Sequence, residues 1–73
     1  MSRPEKHSLT LEGHRTSVSL EPEFWKAFRM IATERQVGIN ALASDIDIAR
    51  APETGLATAI RLFVLAYYQG KAG

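Results

Sequence analysis

Cysteine is missing from this chain, which removes disulfides and thiolate metal sites as sources of stability. Histidine is scarce. His7 and His14 both lie near the N-terminus without ligand spacing, so no metal and no cofactor is expected. Long hydrophobic runs are also absent. The longest apolar stretch, Leu62 to Tyr68, is far short of the ~20 residues a spanning helix needs, so no membrane partner is expected. Met1 to His7 is polar and charged, and no apolar segment of the secretory type follows it. A cytoplasmic location fits both features and the lack of cysteine. Net charge is only +1, too little on its own to mark a nucleic-acid binder, so the placement of the charges has to decide. No nucleophile–base pair or phosphate loop is visible, and Asp45 and Asp47, two residues apart on a helix, do not face each other. An enzyme is not expected.

What the chain does have is one convincing strand among helices. Thr16 to Leu20 alternates polar and apolar residues, and helical periodicity begins within a few positions, at Pro22. A lone strand cannot satisfy its own N–H and C=O groups, and its open edge invites another chain. With 73 residues, a monomer buries only about 60% of the surface its unfolded chain exposes. Both considerations predict a homodimer. Upstream, Ser8 to Leu11 also alternates, but after Gly13 the apolar positions move from odd to even numbers. A glycine at a phase change predicts a bulge or bend. Residues 1–13 are therefore expected to be a mobile or loosely paired arm, and residues 14–73 the folded domain.

Three helices follow. The first is predicted from Pro22 to about Arg35 or Gln36, with Glu21 and Glu23 at the positive end of its dipole and Phe24, Phe28 and Ile31 on its apolar stripe. Phe24 and Trp25 read as core residues rather than base-stacking platforms. Val37 to Asn40 is a turn, and Gly38 can cap a second helix carrying Ile39, Leu42, Ala43 and Ile46. Pro52 breaks that pattern. Thr54 is expected to cap a third helix, Gly55 to about Gln69, before a frayed tail at 70–73. This helix is apolar nearly all round and must be buried, which again calls for a second subunit.

A strand followed by two helices joined through a glycine turn resembles the ribbon-helix-helix (Arc/MetJ-type) family of DNA-binding proteins. The likeness is closest to a bacterial subgroup with an appended third helix. The residues that carry it are His14 to Trp25, Val37 to Leu42 and Leu56 to Val64. Two positions depart from the family's pattern: Gln36 stands where glycine is frequent after the first helix, and Gly38 where serine or threonine often caps the second.

The resemblance implies a mainly α fold in which one strand per subunit pairs antiparallel across an intertwined homodimer. That ribbon would enter the major groove of duplex DNA. Period two turns Val18 and Leu20 inward, so Arg15, Ser17 and Ser19 face out as the expected base contacts. The N-terminus of the second helix, at Gly38, Ile39 and Asn40, is expected to hold a phosphate, with Arg3 and Lys6 touching neighbouring phosphates. Thr16, Val18, Leu20, Phe28, Ile46, Ile60, Phe63 and Val64 are expected at the dimer interface. The expected function is sequence-specific DNA binding by a transcriptional regulator. The alternative is a dimeric protein-interaction module, antitoxin-like or a scaffold, that keeps the fold without DNA; the low net charge and the two serines favour it.

Overall fold

Glu12 and Gly13 both have positive φ, 50° and 85°. That pair of angles is what a type I′ two-residue turn requires, and its twist matches that of the strands it joins. The chain therefore reverses at this point into a hairpin. The computed structural model, which describes residues 2–72, has strands β1 (Glu5–Leu11) and β2 (His14–Leu20) paired antiparallel. Their register runs from Glu5 opposite Leu20 to Leu11 opposite His14. Helices α1 (Pro22–Glu34), α2 (Ile39–Ala49) and α3 (Leu56–Ala72) follow.

The hairpin corrects the expected arm. Residues 5–11 form an ordered strand, and β2 finds a pairing partner within its own chain. The shift of apolar positions after Gly13 was a real signal with a different cause. In this register odd positions of β1 lie opposite even positions of β2, so both sets reach the same face. Leu9, Val18 and Leu20 are buried there. His7, on that face, stacks its ring on Trp25 with centroids 3.9 Å apart and 6° between planes.

Helix α1 begins with Pro22 at its first positions and Glu23 in its first turn, as its sequence predicts. It ends in a Schellman motif: Val37 N–H donates to Ala32 C=O at 3.0 Å and Gln36 N–H to Thr33 C=O at 3.1 Å. Gln36 has φ of 58° there, the left-handed conformation that glycine usually supplies. Gly38 caps α2 in extended geometry with no side-chain hydrogen bond. For α3 the capping carbonyl is that of Gly55, which accepts from Ala59 N–H at 3.0 Å, rather than that of Thr54. The helix also runs on through the tail expected to fray, as far as Ala72; Met1 and Gly73 lie outside the described residues.

Phe28, Ile31, Leu42, Ala43, Ile46, Ile60 and Val64 join the three buried strand residues in one core, against which Phe24, Trp25 and Phe63 pack. Most of the expected dimer-interface residues are here. Val18, Leu20, Phe28, Ile46, Ile60 and Val64 are buried within the single chain, Phe63 is half-buried and Thr16 is exposed. Helix α3 is not wholly covered: Leu62 and Leu65 remain 56% and 51% exposed.

Candidate nucleic-acid interface

The hairpin's second face points away from the helices. Its register sets Lys6 opposite Ser19, Ser8 opposite Ser17, and Thr10 opposite Arg15. All six are exposed. Two cations and four hydroxyls thus share one face, and no carboxylate stands among them. The expected readers Arg15, Ser17 and Ser19 come together on this surface. Lys6 joins them, held in a strand rather than a free arm, and Arg3 is exposed just before β1.

The first turn of α2 is fastened beside this face. Thr10 N–H donates to Asn40 Oδ1 at 3.0 Å. Because that N–H points away from β2, Thr10 and Arg15 form a non-hydrogen-bonded pair, the kind whose side chains stand closest. Arg15, Thr10 and Asn40 therefore follow one another across the edge of the sheet. The N–H groups of Ile39, Asn40 and Ala41 have no intrahelical partner, and they sit at the positive end of the α2 dipole. Ile39 is half-buried, so its backbone rather than its side chain is the accessible part. Unpartnered donors, a positive dipole end and two strand cations form a surface complementary to anions.

The opposite edge, along β2, is largely open. By the alternation of the ladder, the backbone groups of Arg15, Ser17 and Ser19 point away from β1. Arg61 Nη2 reaches Ser19 C=O at 3.3 Å, and the same guanidinium grips Glu21 through two bonds of 2.8 and 3.1 Å. That grip holds the Glu21 carboxyl below its ordinary range. Lys71 and Tyr67 both donate to Glu34, with Lys71 at 2.8 Å, and lower its carboxyl likewise. Arg50 pairs with Asp47 at 2.7 Å.

These ion pairs matter for the electrostatics of the outer face. They take Arg50, Arg61 and Lys71 out of the charge balance together with three acids, and all three lie on the helical side. Among the described residues Arg3, Lys6 and Arg15 are in no ion pair. The hairpin as a whole is balanced, with Glu5 and Glu12 against Lys6 and Arg15, but both of its cations lie on the outer face and neither acid does.

The sequence pattern did not place Ser8 and Thr10 on this face. The alternation at Ser8 to Leu11 and the Glu12–Gly13 dipeptide were the available signals: read as a two-residue turn, they set Thr10 opposite Arg15 and Ser8 opposite Ser17.

A hairpin packed on a helix–turn–helix, with an anion-seeking outer face, defines a ribbon-helix-helix domain with an added C-terminal helix. The family model described as ribbon-helix-helix domain matches residues 4–68, and the chain belongs to that family. The match includes β1. Ribbon-helix-helix domains in general bind DNA and regulate transcription. Neither a curated protein nor a solved structure matches the chain.

Proposed function

We propose that this protein is a homodimeric, sequence-specific duplex-DNA-binding protein that acts as a transcriptional regulator in the bacterial cytoplasm. The hairpin enters the major groove with its outer face toward the bases. Arg15 makes the most discriminating contact, since a guanidinium can bond the O6 and N7 acceptors of guanine together, whereas Ser17 and Ser19 discriminate less. The amides at Gly38, Ile39 and Asn40 hold a backbone phosphate, and Arg3 and Lys6 contact neighbouring phosphates. The single observation that carries this reading is the exposed hairpin face, which bears Lys6, Arg15 and four hydroxyls and no acid.

Two features support pairing of chains: the open β2 edge and the exposed apolar residues of α3. Leu62 and Leu65 also favour the second reading, a dimeric module that docks a protein partner instead of DNA.

A gel-shift titration of genomic DNA fragments against salt separates the two. DNA binding predicts affinity that falls as salt rises, with a log–log slope of about −0.9 per phosphate neutralised. No retarded complex at low salt would leave the protein-docking reading. Sedimentation at low micromolar concentration tests the dimer, and a single folded subunit there would remove it.

A further inference from the structure

We infer that Arg61 of α3 is a positioning residue for DNA binding: it holds the Glu21 carboxylate away from the end of the groove-facing surface of β2. The inference rests on the DNA-binding reading above and adds to it a residue that acts through another rather than on the bases.

Arg15, Ser17 and Ser19 occupy the outward positions of β2, and Glu21 is the next odd position. Its backbone is still extended, with φ of −59° and ψ of 143°, so the alternation runs on through it before α1 begins at Pro22. An acid thus ends the row of side chains that faces the duplex. Free in that place, its charge would repel the phosphates. β2 is followed by Glu21 in every copy, so a homodimer brings two such acids to the DNA.

Arg61 is the only charged residue of α3 ahead of Lys71. Its Nε and Nη2 donate to the two Glu21 carboxylate oxygens at 2.8 and 3.1 Å, and the Glu21 side chain is left only 15% exposed. This forked bond fixes the direction of the carboxylate as well as offsetting its charge. Nη2 also donates to Ser19 C=O at 3.3 Å, and the guanidinium lies 6.0 Å from the centroid of the Phe24 ring. One guanidinium therefore ties together the last outward residue of β2, the acid after it and the first turn of α1. A carbonyl oxygen has two lone pairs, so Ser19 can still accept from a β2 strand of a second copy.

The test is the affinity, across a salt series, of full-length wild type, Arg61→Ala, Glu21→Gln and the double variant for the best duplex that wild type selects from random sequence, with thermal melts beside them. Arg61→Ala should bind on the order of tenfold more weakly, because the freed carboxylate then opposes the phosphates. Removing that charge in the double variant should restore most of the affinity, at the wild-type salt slope. Glu21→Gln alone should bind at least as tightly as wild type. A double variant as weak as Arg61→Ala would overturn the proposal. So would a double variant whose salt slope is shallower by about 0.9, since Arg61 would then itself neutralise a phosphate. Weaker binding by Glu21→Gln at an unchanged melting temperature would overturn it too. Equal affinity of wild type and Arg61→Ala would remove the role of Arg61 and leave the DNA-binding reading standing. If wild type selects no duplex, that reading falls and the role of Arg61 with it.

Discussion

Thr10 and Asn40, thirty residues apart in sequence, are joined by a 3.0 Å hydrogen bond from the Thr10 amide to the Asn40 side-chain oxygen. This bond ties the outer edge of the hairpin to the first turn of α2. The strand and the helix end are thereby held side by side. Asn40 is exposed and does not belong to the core, so its side chain is accessible beside the helix end as well as bonded to the strand.

Asn40→Asp separates the two roles. A carboxylate still accepts from Thr10 and suits the positive end of α2, which is worth ~0.3–1 kcal/mol. Resistance to urea should therefore hold or rise. DNA affinity should drop on the order of tenfold or more, because like charges then meet at the phosphate. Paired urea melts and DNA titrations check this. A less stable variant with unchanged DNA affinity would show the residue to be structural only.

The Schellman motif after α1 offers a gain in stability. Gln36 adopts φ of 58°, where a side chain costs about 1–2 kcal/mol relative to glycine. Gln36→Gly should raise the unfolding free energy by roughly 1 kcal/mol, the gain being reduced by glycine's greater freedom in the unfolded chain. A β-branched residue there, Gln36→Val, should lower it. Urea midpoints at constant m-value measure both.

Acid should weaken the fold through three carboxylates, of which Glu23 is lowered by hydrogen bonds from its backbone and from Ser2. Glu21 and Glu34 lie below their ordinary value of 4.5 because Arg61 and Lys71 bond their charged forms. A lowered folded value means that the stabilisation is complete above 4.5 and is lost as pH falls through the folded value. Lys71 is raised above its ordinary 10.5 by the same Glu34, so its share persists below that pH and disappears as pH climbs through the raised value. Melting temperature should be level from neutral pH down to about 5 and decline beneath it. Arg61→Ala should flatten part of that acid decline, and an unchanged profile would exclude the Glu21 pair as its cause.

Much of this fold was legible before any coordinates. Pro22 with its flanking glutamates marks the start of α1, and β2 reads from its alternation. The hairpin was harder to see. Glutamate is an uncommon first residue of a type I′ turn, which favours Asn-Gly, and Glu12 reaches positive φ without that signature. With β1 taken as an arm, β2 lacks a partner; the hairpin supplies one within the chain, so the lone-strand argument for a second subunit no longer applies. The expected interface residues lie largely in the core of the single chain. Periodicity marks a buried face but carries no information on which surface buries it, so Phe28, Ile60 and Val64 served equally well as own-chain core or as dimer contacts. Arg15, Ser17 and Ser19 were legible as an outward set because period two survives whatever the strand pairs with.

Affinity of wild type and Arg15→Ala for the best selected duplex, each measured across a salt series, tests the central claim most directly. Arg15 is exposed and in no ion pair, so the variant should fold and melt like the parent. The account predicts that specific binding weakens by ~1–3 kcal/mol on removal of this guanidinium, with preference relaxed at one base pair. Equal affinity and equal preference for the two proteins would contradict it.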